Sequence, residues 1–204
     1  MATEESDKHL EDFWLSFKDS IYSYLDESQK RHINNTSVKL NGLKANEQYH
    51  KILKIEQTIY EYLEKMSKYF VANDMDYQAS ILKTNIKRWN KLSSSIYKEI
   101  DILEEEDYNL NIGFDILDIY LKCARKNKTA LKDLICLYAQ NPSNSYLILI
   151  VNQAIREENY GVIEKLRPYI NIKKFLKHDS YYHNDLTKLH QVKIRKLINH
   201  LEPR

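Results

Sequence analysis

Residues able to do chemistry gather near the C-terminal end of this 204-residue chain. Lys173, Lys174, Lys177, Lys188, Lys193, Arg195 and Lys196 are interleaved there with Phe175, Tyr181 and Tyr182. Clustered cations neutralise phosphates and release counterions, and tyrosines beside them stack on bases, so this stretch points to nucleic acid. An acidic protein surface would be served equally well, and so would the acidic N-terminal half of a second copy placed head to tail. A plain amphipathic helix also accounts for part of the pattern. Lys188, Val192, Arg195 and Lys196 then lie opposite Leu186, Leu189, Leu197 and Leu201. His178, Asp179 and His183 are metal-capable. The two histidines are five apart, whereas Asp179 and His183 have the i, i+4 spacing that turns two ligands the same way. A metal centre needs three or four convergent ligands. The run His178 to Asp185 reads instead as a polar loop whose side chains bond their own backbone, and neither a metal nor a cofactor is expected.

Arg195 and His200 are separated by Lys196, Leu197, Ile198 and Asn199. This R-x4-H spacing resembles that of the HEPN ribonucleases, an all-helical family in which Arg and His from two subunits converge on the scissile phosphate of RNA. The resemblance covers six residues and implies RNA cleavage carried by Arg195 and His200. A basic amphipathic helix explains the same six residues without catalysis. No nucleophile elbow of the form G-x-S-x-G occurs, and neither Cys123 nor Cys136 is flanked by a recognisable activating group. No catalytic residue is expected.

The elements that must position these groups are helices. The chain holds only three glycines, Gly42, Gly113 and Gly161, and three prolines, Pro142, Pro168 and Pro203. Hairpins need glycine- or proline-marked turns at short intervals, and phosphate-cradling loops need glycine clusters. The expected fold class is therefore all-α, without Rossmann or P-loop chemistry. The hydrophobic fraction of 43% supports a core, while 29% charged residues leave no apolar run near the ~20 that would span a bilayer. The N-terminus is acidic rather than basic and apolar, so no secretory signal is expected. Cys123 and Cys136 are expected to be reduced and buried, in a cytoplasmic or nuclear protein. Sixteen tyrosines accompany an excess of Ile, Lys and Asn, all with A/T-rich codons. The tyrosine count is thus partly a matter of composition, and an aromatic surface for bases or peptides does not follow from it alone.

Charge is segregated. Residues 1–107 carry 15 basic and 20 acidic side chains, net −5, and residues 108–164 balance. Residues 165–204 carry 10 basic and 3 acidic, net +7.

Apolar spacing predicts a first helix from Asp7, through Leu10, Phe13, Trp14, Phe17, Ile21 and Leu25. The polar stretch Arg31 to Asn46 is expected to be a loop. A second helix is expected from Ala45 to Val71. A third follows from Met75 to Glu104, burying Tyr77, Ile81, Ile86, Trp89, Leu92, Ile96, Ile100 and Leu103. Asn73 and Asp74 should break the two, with Asp74 capping the third. Helices of this length span ~40–45 Å, and so short a break implies an antiparallel hairpin. The acidic run Glu104 to Asp107 reads as a boundary. Shorter helices follow near 112–126, 129–140, 142–158, 160–176 and 185–201. Asn141-Pro142 is expected to open the third of them and Pro168 to interrupt the fourth. Tyr146 to Val151 is strand-like by residue type but continues at helical spacing into Ala154 and Ile155. The expected organisation is a long-helix hairpin or bundle over 7–104 and a short-helix bundle over 108–201, either separate or packed into one body. A hairpin with broad apolar faces needs covering. Phe13, Trp14 and Phe17 either do this within the chain or form a protein-binding patch. The expected function is a non-catalytic helical interaction module or small subunit of a larger assembly, with a protein partner or self-association and no membrane. The alternative is a nucleic-acid-binding subunit acting through residues 165–204.

Overall fold

The computed structural model describes residues 2–44, 51–100, 112–126, 129–170 and 192. All regular structure among them is helical, and no strand is present. Among the described residues eight α-helices follow in order: α1 (Ala2–Ile21), α2 (Glu27–Lys44), α3 (Lys51–Ala72), α4 (Asp76–Ile100), α5 (Ile112–Arg125), α6 (Thr129–Gln140), α7 (Asn144–Arg156) and α8 (Tyr160–Leu166). A 3-10 turn, Tyr22–Tyr24, separates α1 from α2. The chain divides into two compact units, Met1–Leu121 and Lys122–Arg204. The division falls inside α5, whereas the sequence pointed to the acidic run Glu104 to Asp107, which lies outside the described residues.

The core of the first unit is built by α1 against α3 and α4. Leu10, Phe13, Trp14, Phe17 and Ile21 are all buried at three- and four-residue intervals on α1. The Phe13 ring tilts onto Trp89 of α4 at 5.1 Å between centroids. Trp14 meets Tyr62 of α3 edge-on at 5.2 Å, and Phe17 does so at 6.0 Å. Phe13, Trp14 and Phe17 thus cover the face that α3 and α4 share, and in this fold they leave no open apolar patch. Burial of these three side chains contributes on the order of 5–8 kcal/mol against the entropy of ordering the helix. The buried stripe on α4 is Ala79, Leu82, Ile86, Trp89 and Ile96. Tyr77, expected inside, is exposed, and Ile81 is half-buried. Counting Ala79 as apolar rotates the stripe by about one position, which the larger side chains alone conceal. α5 packs onto this unit through Phe114 against Tyr60, at 5.2 Å, and through an ion pair from Asp118 to Lys83.

The polar stretch after residue 31 is helix, not loop. Asp26 and Gln29 form a capping box. Asp26 Oδ1 accepts from the Gln29 N–H at 2.8 Å, and Gln29 Oε1 accepts from the Asp26 N–H at 3.1 Å. Two amides that the first turn would leave without partners are satisfied reciprocally. Two hydroxyls inside α2 close on their own helix. Thr36 donates to the His32 carbonyl and Ser37 to the Ile33 carbonyl, each at 3.0 Å. Ile33 and Leu40 are buried, and Trp14 Nε1 donates to Ser37 Oγ at 3.0 Å. A cap, two aliphatic anchors and one indole bond hold a segment whose composition reads as a loop.

Asp74 does not cap α4; it ends α3. Its φ is +56°, the left-handed region that favours glycine. The Met75 N–H bonds the Phe70 carbonyl at 2.9 Å and the Asp74 N–H bonds the Val71 carbonyl at 3.2 Å. This is the paired closure of a Schellman motif. Glu158, at φ +54°, closes α7 the same way. The Asn159 N–H bonds the Ala154 carbonyl at 2.7 Å, and the Glu158 N–H bonds the Ile155 carbonyl at 3.1 Å. The three-residue break leaves α3 and α4 packed on each other. Ser93 Oγ donates to Glu56 Oε1 at 2.8 Å, joining positions that stand at nearly equal separation from Asp74 on either side.

In the second unit α7 packs against both α6 and α8. The run Tyr146 to Val151 is helical, and Leu147, Ile150, Val151, Ala154 and Ile155 are buried. The cap is Ser143, whose Oγ accepts from the Tyr146 N–H at 3.3 Å, rather than Asn141. Pro142 therefore precedes the cap and does not occupy the first helical position. α8 ends at Leu166, two residues before Pro168. Cys123 is buried, Cys136 is half-buried, and neither is bridged.

Candidate functional site

Lys173, Lys174, Lys177, His178, Asp179, Tyr181, Tyr182, His183, Lys188, Lys193, Arg195, Lys196 and His200 lie outside the described residues. Among the described residues no three His, Cys, Asp or Glu side chains converge as metal ligands. None of the described helices is long and apolar enough to cross a membrane. Phe13, Trp14 and Phe17 belong to the core.

The structure instead assembles a tyrosine face at the junction of the α1–α2 and α3–α4 connections. Tyr24 comes from the 3-10 turn, Tyr69 from the last turn of α3 and Tyr77 from the first turn of α4. They are 42%, 37% and 58% exposed. The Tyr24 and Tyr77 rings meet edge to face at 4.9 Å, and their hydroxyls bond at 3.2 Å. Tyr69 donates to Asp26 Oδ2 at 3.3 Å, the carboxylate whose other oxygen caps α2. Gln78 Nε2 donates to the Tyr24 carbonyl at 3.4 Å. Next to the face, Tyr22 accepts from Asn34 Nδ2 at 3.1 Å and lies under two cations, Lys18 at 5.4 Å and Lys30 at 5.8 Å.

Chain geometry at both connections creates this arrangement. α1 stops at Ile21, so the backbone turns and presents Tyr24 away from the core. The Asp74 motif ends α3 and lets α4 begin after a three-residue break, with Tyr69 in the last turn before it and Tyr77 in the first turn after it. Behind them the buried Tyr120 hydroxyl bonds Asp74 Oδ1 at 2.8 Å and also Asp76 Oδ1, pinning α5 to the same turn.

The phenols hold their protons. Burial, then the Asp26 charge, raises the Tyr69 pKa, and the hydrogen bond with Tyr24 raises that of Tyr77. Burial, followed by Asp76 and Asp74, pushes Tyr120 well above the ordinary phenol range. A general base works best with a pKa near the working pH. The Tyr69, Tyr77 and Tyr120 hydroxyls move away from it, and the face presents ring surfaces, hydrogen-bonding groups and the Asp26 carboxylate.

Sequence reasoning missed Tyr24 and Tyr69 as surface groups and assigned Tyr77 to a buried stripe. A signal was present. The stretches 22–27 and 69–78 hold four tyrosines and four carboxylates, with no lysine or arginine. The chain matches no protein-family model, no curated protein and no solved structure.

Proposed function

We propose that this chain is a non-catalytic helical interaction module, a small subunit of a larger assembly, that binds through the tyrosine face. The observation that carries this reading is the set of three exposed tyrosines fixed by one another and by Asp26. Tyrosine supplies broad contact area at low entropy cost and is enriched where binding energy concentrates. Two of the rings are already held in place by neighbours, so little ordering remains on association. The unbridged Cys123 and Cys136 suit a reducing compartment. The test is the double variant Tyr24→Ser/Tyr77→Ser in the full chain. It should retain its helical circular dichroism and lose about tenfold or more in affinity for whatever the wild type binds. Complexes that form with unchanged affinity refute the reading.

A second reading is supported by the net +7 of residues 165–204, which suits a polyanion. It predicts nucleic-acid retention that weakens steeply with salt and is abolished by charge reversal at Lys173, Lys174 and Lys177. Failure of the wild type to bind a polyanion column at low salt counts against it.

A further inference from the structure

The division into units sharpens the charge asymmetry. Residues 1–121 carry 15 basic and 22 acidic side chains, net −7, and residues 122–204 carry 16 and 7, net +9. The tyrosine face belongs to the acidic unit. Asp26, Glu27, Asp74 and Asp76 stand on the two stretches that form it; those stretches contain no cationic side chain, and of the four carboxylates Glu27 is paired with Lys30 at 2.9 Å. The strongest opposite charge in the molecule is the stretch 165–204.

We infer that the tyrosine face receives the basic stretch 165–204 of a second copy of this chain, so that copies associate head to tail. The inference rests on the reading of that face as a binding surface and adds the identity of its occupant. A lysine or arginine laid across Tyr24 and Tyr77 meets ring faces that attract cations, and its charged end is within the field of the Asp26 carboxylate. The protein already uses this chemistry next door, where Lys18 and Lys30 both lie over the Tyr22 ring. Tyr181 and Tyr182, inside the basic stretch, add aromatic surface to a partner face that is itself aromatic. Reciprocal exchange between two copies makes the contact twice and closes as a two-fold dimer. One-way exchange leaves a free face and a free basic stretch and grows into longer chains. Both forms depend on salt, because the attraction is between exposed charges screened over about 8 Å at physiological ionic strength.

The experiment is sedimentation velocity on the full chain at low and high salt, with two variants. The face variant is Tyr24→Ser/Tyr77→Ser, and the tail variant is Lys173→Glu/Lys174→Glu/Lys177→Glu. Circular dichroism establishes that each is folded. Tyr77→Lys, at the most exposed of the three rings, replaces the face variant should the double substitution unfold. The wild type is expected to associate at low salt and dissociate as salt rises. Each variant alone should associate about tenfold more weakly. An equimolar mixture of the two should recover a heterodimer, because one intact face meets one intact tail. A wild type that is monomeric at low salt overturns the inference, as does association untouched by the tail variant. If the face variant weakens association and the tail variant does not, the binding surface stands and its occupant is wrong. If neither variant changes association, self-association does not use this face, and the binding-surface reading then stands or falls on its own affinity test.

Discussion

Asp26 carries two structural duties, and replacing it separates them. Asp26→Ala removes the carboxylate that accepts from the Gln29 amide at 2.8 Å and from the Tyr69 hydroxyl at 3.3 Å. Loss of an N-cap to alanine costs about 1 kcal/mol, within a range of roughly 0.5–2. The Tyr69 bond is longer and exposed, so its loss adds about 0.5 kcal/mol. The sum, about 1.5 kcal/mol, is a sizeable part of the ~5–15 kcal/mol that holds a domain together. It corresponds to a fall in Tm of roughly 3–8 °C. Asp26→Asn keeps an oxygen at the cap and should cost less than about 0.5 kcal/mol. Tyr69→Phe isolates the hydroxyl's share. Urea unfolding followed by circular dichroism gives each value, and amide exchange across residues 27–44 locates the loss in α2. A cycle of Asp26→Ala with Gln29→Ala should show about 0.5–1 kcal/mol of coupling, because each side chain bonds the other's backbone. If Asp26→Ala lies within about 0.3 kcal/mol of wild type, or if asparagine costs as much as alanine, the capping box is not what makes this segment a helix.

The Tyr62 hydroxyl is buried without a hydrogen-bond partner, and burial raises its pKa above the usual value near 10. Below pH ~10 both folded and unfolded chains keep this proton; above it only the unfolded chain releases it, so stability falls as pH rises toward the folded value. Tyr62→Phe should be neutral or stabilising at pH 7, and above pH ~10 it should remove about 1.4 kcal/mol per pH unit from the slope of stability against pH. Urea midpoints across that range check it, and parallel slopes for the two proteins would contradict it. Glu158→Gly relieves a left-handed residue at the end of α7 and should stabilise by about 1 kcal/mol, while the β-branched Glu158→Val should do the opposite. Thermal melts of both variants decide this, and a Glu158→Gly protein that melts lower than wild type sinks the account.

Long helices with dense apolar stripes were legible in the sequence. α3 and α5 to α7 begin or end within a few residues of where periodicity placed them, as far as those ends are described, because their cores repeat every three to four residues. α2 was not, since its inward face carries only Ile33 and Leu40 among asparagines, threonine and serine. Composition outweighed the one signal that mattered, the Asp26-Glu27-Ser28-Gln29 capping box. The two left-handed closures were hidden for a related reason. With glycine so rare, the positions where one would look for it hold Asp74 and Glu158, and an acidic residue at Asp74 reads as the start of a helix. The tyrosine face needed tertiary information. Tyr24 and Tyr77 meet across 53 residues, and no local pattern brings such positions together.

The seam between α1 and α4 has a consequence for the order of assembly. α3 packs with its neighbours α2 and α4, and α7 with α6 and α8, so these contacts join helices adjacent in sequence. α1 reaches α4 across most of the first unit. Ser16 accepts from Arg88 Nη1 across 72 residues, and Ser20 accepts from Asn85 Nδ2 across 65. Closing a span of that length costs more chain entropy than closing the shorter ones between adjacent helices. α1 is therefore expected to dock late, onto an α3–α4 pair already formed. Weakening the seam then speeds unfolding far more than it slows folding. If so, the aromatic cluster of Phe13, Trp14 and Phe17 is the latch, and Phe13→Ala is expected to raise the unfolding rate in urea far more than it lowers the refolding rate.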